Sequence, residues 1–188
     1  MNEPARSERT VLDVKLDRSF DMLDTDGDGR IHEGDLVSLA ARLGAAFGTR
    51  APGTVVRLQE SFTLLWETDL QHMDADGKGA IDRAEWRAGV RRAVADDRDG
   101  FLDRMGAMLQ VWLELCDTDA DGRITRTEYT TMYGETLGLP PGPLNEAFTT
   151  LDIDGDGHIG GDELRAAVEE FYTSEATDTP GNWLFGPL

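Results

Sequence analysis

Cysteine is nearly missing from this chain: Cys116 is the only one. A lone cysteine cannot close an internal disulfide, which predicts a reducing, cytoplasmic setting. Positive charge is scarce too. Lys and Arg number 18 against 37 Asp and Glu, giving a formal net charge of -19 and a pI near 4.3. Nucleic acids and anionic membranes are polyanions that such a surface repels, so neither is an expected partner, and the expected counter-ligand is a cation. Long apolar runs are absent. The longest uncharged stretches, 136–145 and 179–188, fall far short of the roughly 20 apolar residues that span a bilayer. The opening Met1–Thr10 is polar and mixed in charge, without the apolar centre of a secretory signal. No phosphate-binding loop and no nucleophile with a spaced histidine are present, so no catalytic residue is assigned and no enzymatic activity is expected.

What the chain has in excess is aspartate, and it recurs in register. Four segments align: Asp24-Thr25-Asp26-Gly27-Asp28-Gly29, Asp74-Ala75-Asp76-Gly77-Lys78-Gly79, Asp117-Thr118-Asp119-Ala120-Asp121-Gly122 and Asp152-Ile153-Asp154-Gly155-Asp156-Gly157. After one further residue comes Ile31, Ile81, Ile124 or Ile159, and four residues beyond it stands Asp35, Glu85, Glu128 or Glu163. Calcium is a hard ion that takes 6–8 oxygens at about 2.3–2.6 Å. One short loop must therefore curl around it and present oxygens at alternate positions: carboxylates at 1, 3 and 5, a backbone carbonyl at 7, often water at 9, and a carboxylate at 12. The sixth residue turns too tightly for most side chains, and glycine stands there in all four copies. Position 8 faces away from the metal, where paired loops align a short two-residue strand. This is the EF-hand calcium loop, repeated at 24–35, 74–85, 117–128 and 152–163. A single copy would read equally well as a surface turn; four in register do not.

The loops differ. Those at 117–128 and 152–163 carry carboxylates at positions 1, 3, 5 and 12 and are expected to bind calcium. Loop 24–35 ends on Asp35, one methylene shorter than glutamate, which predicts contact through one oxygen and a site that accepts magnesium as well as calcium. Loop 74–85 has Lys78 at position 5, which removes a ligand and adds a positive charge. Asp82 at position 9 restores part of the negative count. The loop is expected to stay empty and to serve as the pairing partner of the first.

Apolar residues precede each loop at helical spacing: Leu16, Phe20 and Leu23; Trp66, Leu70 and Met73; Leu109, Leu113 and Cys116; Leu144, Phe148 and Leu151. Similar residues follow each loop. The fold class is thus all-α: four hands, eight helices, in two paired halves packed into one compact unit. The expected divisions are 10–95, 96–171 and a tail, 172–188, packing back on the core. Thr49–Gly53 breaks the first inter-loop segment, Asp96–Gly100 forms a short turn, and Pro143 begins the seventh helix.

The wide first gap, the degraded second loop and the ending Gly181-Asn182-Trp183-Leu184-Phe185-Gly186-Pro187 resemble the sarcoplasmic calcium-binding proteins and their bacterial, calerythrin-type relatives. The resemblance covers about residues 10–188. It implies that loops one, three and four bind calcium and loop two does not, for three ions in all. The implied ligands are Asp24, Asp26, Asp28, the Arg30 carbonyl and Asp35; Asp117, Asp119, Asp121, the Arg123 carbonyl and Glu128; and Asp152, Asp154, Asp156, the His158 carbonyl and Glu163. It also implies a calcium buffer or carrier of the cytosol. Gly160, at position 9 of the last loop, leaves that corner to water.

The remaining chemistry-bearing residues have plain readings. His32, His72 and His158 lie in or beside the loops, Cys116 faces inward, and Trp66, Trp86 and Trp112 belong to core faces. Trp183, Leu184 and Phe185 are expected to fold back, since leaving such side chains in water forfeits roughly 1.5–3 kcal/mol each. The main reading is a monomeric calcium buffer or store. The alternative is a sensor that exposes a groove for a protein target, against which the scattered methionines count. A calcium-triggered photoprotein would need histidines lining a ligand cavity, whereas all three here sit at loops.

Overall fold

Four helices of this protein begin where a side chain satisfies a free backbone N–H group. The computed structural model describes residues 9–47 and 52–187. Thr49, Arg50 and Ala51 of the expected first break, and Leu188 of the tail, lie outside the described residues. α1 (Val11–Leu23) opens on a reciprocal cap: Thr10 Oγ1 accepts the Asp13 N–H, and the Asp13 carboxylate accepts the Thr10 N–H, each at 3.2 Å. The other helices are α2 (Glu33–Phe47), α3 (Pro52–Thr68), α4 (Arg83–Asp96), α5 (Arg98–Cys116), α6 (Arg126–Leu137), α7 (Pro141–Leu151) and α8 (Gly161–Thr173). Strands β1 (Arg30–Ile31) and β2 (Ile81–Asp82) pair antiparallel, as do β3 (Ile124–Thr125) and β4 (His158–Ile159). Ile31 faces Ile81 and Ile124 faces Ile159, all four buried. The all-α, four-hand architecture read from the sequence is the one found.

Three details differ. α3 stops at Thr68, and a 3-10 helix, Leu70–Met73, completes the approach to the second loop. Three residues per turn in place of 3.6 rotate the inward face. Leu58, Phe62 and Leu65 are therefore buried, while Trp66 is half-buried at the core's edge. The turn at 96–100 shrinks to Asp97, which ends α4 and caps α5 through the Gly100 N–H at 3.1 Å. α7 begins at Pro141, two residues before Pro143, because first-turn residues need no N–H donor.

The buried side chains form one contiguous core through both pairs of hands. α3 packs on α5, α1 on α8 and α2 on α6. Arg104 of α5 holds Asp69 through Nε and Nη2, both at 2.8 Å. Lys15 is fully buried, and its Nζ donates to the carbonyls of Glu170 and Ser174 at 2.7 Å. It thereby caps α8 at the negative end of the helix dipole. Burial pushes the Lys15 ammonium down to about 8, against the charges of Glu175 and Glu170.

After α8 the chain returns. A 3-10 helix, Pro180–Trp183, lies on α8 and α7. Leu184 and Phe185 are buried, and the Phe185 ring meets Phe171 edge-on at 4.9 Å. Three polar groups hold the tail's carbonyls: Tyr133 Oη donates to Leu184 at 2.5 Å, Tyr129 Oη to Trp183 at 3.3 Å and Arg18 Nε to Phe185 at 3.0 Å.

Candidate metal centres

Each loop closes on itself through its first and twelfth residues. The first aspartate accepts backbone N–H groups from the turn it begins: Asp24 from Asp28 and Gly29, Asp74 from Gly77, Lys78 and Gly79, Asp117 from Ala120 and Gly122, and Asp152 from Gly157. Gly29, Gly79, Gly122 and Gly157 take φ between 79 and 89°, the left-handed region expected at position 6.

The twelfth residue is the third residue of the following helix in every hand, and its carboxylate spans the loop. One oxygen of Glu128 accepts the Thr118 N–H at 2.6 Å, and the other accepts the Thr125 N–H at 2.9 Å. Glu163 joins Ile153 to Gly160 and Glu85 joins Ala75 to Asp82 in the same way. Asp35 makes the same pair of bonds, to Thr25 at 3.0 Å and His32 at 2.8 Å. The shorter side chain thus sets both oxygens against the same two positions as the glutamates. Threonines at position 2 of loops one and three add hydroxyl bonds, Thr25 to Asp35 at 2.8 Å and Thr118 to Glu128 at 2.7 Å. Burial works to raise the Glu128 carboxyl, but the bonds from Thr125 and Thr118 prevail and hold it below its ordinary range.

These contacts bring three carboxylates together in each loop: Asp24, Asp26 and Asp35; Asp74, Asp76 and Glu85; Asp117, Asp119 and Glu128; Asp152, Asp154 and Glu163. Within each trio the nearest oxygens lie within 4.8 Å of one another, about twice a calcium–oxygen bond. The fifth-position carboxylates stand outside the trios. Asp28 Oδ1 accepts the Arg30 N–H and Asp121 Oδ1 the Arg123 N–H, both at 2.8 Å, and Asp156 Oδ1 accepts the His158 N–H at 2.9 Å. The seventh-position residues Arg30, Arg123 and His158 belong to β1, the approach to β3, and β4, so the strand ladders fix the backbones whose carbonyls are the implied ligands.

The donors fit a hard divalent cation. They are carboxylate oxygens without thiol or imidazole among the converging atoms, and Asp152 Oδ1 is buried with no hydrogen-bond partner. In loop three, lost solvation and the neighbouring Asp121 charge raise the Asp119 carboxyl, the mark of acids held together.

Loop two keeps this shape but not its charge. Lys78 Nζ lies 2.5 Å from Asp76 Oδ2, and the hydrogen bond from Lys78 holds the Asp76 carboxyl below its usual range. Asp82, counted for its negative charge, also caps α4 through the Ala84 and Glu85 N–H groups at 2.8 and 2.9 Å. One feature went unread in the sequence. Ala120 holds φ 59° at the fourth position, where the other loops have Gly27, Gly77 and Gly155 at 72–74°. The alignment carried that signal.

The EF hand family pattern matches four times, at residues 16–32, 69–90, 109–133 and 144–168, once over each loop. The chain is an EF-hand calcium-binding protein. Its relatives include proteins of the calerythrin and sarcoplasmic type. It is 26% identical to calerythrin of Saccharopolyspora erythraea over 164 residues, 86% of this chain and 92% of that one. It is 29% identical to the sarcoplasmic calcium-binding protein of Perinereis vancaurica tetradentata over 174 residues, 93% and 96% of the two chains. Among solved structures, a Streptomyces coelicolor calcium-binding protein described in prokaryotic calcium-mediated regulation superposes with TM-score 0.73 at 28% identity, covering 88% of this chain and 99% of that one.

Proposed function

We propose that this EF-hand protein is a non-enzymatic calcium buffer or store of the cytoplasm, a monomer with three working sites, in loops 24–35, 117–128 and 152–163. The ligands are those named from the sequence, with loop 24–35 open to magnesium as well. The observation that carries the buffer reading is the buried tail. Leu184 stands with Tyr129, Tyr133, Leu151 and Leu164 on the apolar face of the second pair of hands, so the surface a target helix would need is already filled from within. The count of three rests on Lys78 sitting on Asp76. Calorimetric titration with calcium, repeated in magnesium, and native mass spectrometry test both points. Three bound ions support the reading, and two or four overturn the count.

A sensor reading has one observation in its favour. Val37 on α2 is 59% exposed, beside a cavity of about 110 Å³ lined by Leu36, Ala40 and Phe62. A hydrophobic dye separates the readings. It dims as calcium closes a buffer and brightens as calcium opens a sensor.

A further inference from the structure

Arg123 has two connections to metal chemistry. Its carbonyl is an implied ligand of loop three, while its side chain crosses the β3–β4 ladder and places Nη1 2.5 Å from Oδ2 of Asp156, the fifth residue of loop four. The other oxygen of Asp156 is engaged by the His158 N–H at 2.9 Å. Nothing returns the arrangement. His158, the seventh residue of loop four, turns its Nδ1 onto Asp156 of its own loop, 3.5 Å from Oδ1. Asp121, the fifth residue of loop three, has no cationic partner among the described ion pairs.

We propose that Arg123 is a built-in counter-ion for loop four, a positioning residue that calcium must displace from Asp156, so that loop three fills before loop four. A cation on a ligand carboxylate competes with calcium for the same oxygen, and its charge opposes the incoming ion. Loop three meets no such competitor at its own fifth position. Both side chains of the pair are partly exposed, 53% for Arg123 and 38% for Asp156, so water and salt screen the effect. An exposed pair of this kind corresponds to roughly a two- to fivefold change in affinity.

The inference rests on loops three and four being calcium sites, and one experiment separates the two claims. The Gly122 and Gly157 N–H groups donate to the first aspartates of their loops, Asp117 at 2.9 Å and Asp152 at 3.1 Å. Their amide resonances therefore report each loop separately during a calcium titration of the full chain followed by ¹H–¹⁵N NMR. In the native protein the Gly122 resonance is expected to move at lower calcium than that of Gly157. In Arg123→Gln the ratio of the Gly157 midpoint to the Gly122 midpoint falls roughly two- to fivefold. Arg123→Lys, which keeps the charge, restores most of the native ratio. Circular dichroism at saturating calcium checks that the variants fold. An unchanged or larger ratio in Arg123→Gln overturns the counter-ion, as does a native protein in which Gly157 moves first. If neither glycine responds to calcium, the assignment of the sites itself fails.

Discussion

Phe185→Ala tests whether the tail is part of the core. The Phe185 side chain is fully buried, and its ring meets Phe171 at 4.9 Å. Its backbone carbonyl, held by Arg18, is untouched by the substitution. Truncating such a ring removes its transfer energy and leaves a cavity that neighbours fill only partly, for a loss of about 3–5 kcal/mol. In a domain of this size each kcal/mol moves the midpoint by about 2–4 °C, so the calcium-loaded variant should melt roughly 6–20 °C lower by circular dichroism. The same variant should bind more hydrophobic dye with calcium present. Trp183→Ala, whose ring is only partly buried, should lose less. A loss below about 1 kcal/mol in Phe185→Ala with unchanged dye binding would refute the buried tail, and with it the main support for a buffer.

Other expectations follow from the loops. Lys78→Asp should raise the ion count in native mass spectrometry from three to four; an unchanged count means that the lysine is not what silences loop two. Ala120→Gly should stabilise the protein by roughly 0.5–1 kcal/mol, because a left-handed backbone penalises a Cβ; chemical denaturation reads the sign. Chelation should lower the melting temperature steeply, since each site contributes about 4 kcal/mol when free calcium exceeds Kd a thousandfold. An unchanged melt would contradict metal-linked folding. In chelated protein, Glu128→Gln should be the less stable form at neutral pH. Because the folded-state pKa of Glu128 is depressed, its contribution is full above the ordinary glutamate value, near 4.3. It is lost as pH falls through the folded value, so native and variant melts should converge in acid.

The loops were legible because their spacing is the geometry of the ion written along the chain, and the closing carboxylate of each loop is also the third residue of the helix that follows. Legible too were Leu16, Phe20, Leu144 and Phe148, since helical spacing alone puts them inward, and all four are buried. What escaped depended on distant neighbours. Trp66 left the core because a 3-10 segment changed the phase ahead of the second loop. Lys15 is buried because the end of α8, more than a hundred and fifty residues later, offers two carbonyls to its ammonium. Neither spacing nor composition announces such a partner. The Arg123–Asp156 contact likewise requires knowing that the two strands pair.

Asp97 is the whole of the joint between α4 and α5, ending one helix and capping the next. Proteases need several extended residues to thread through their clefts, and this joint offers none. Digestion of the folded protein should therefore not release two working halves. Half-molecules made separately would each expose the faces where α3 meets α5 and α1 meets α8. Affinities measured on such fragments would describe different objects, and reassembly from two pieces would have to rebuild the shared core before either regained its native response to metal.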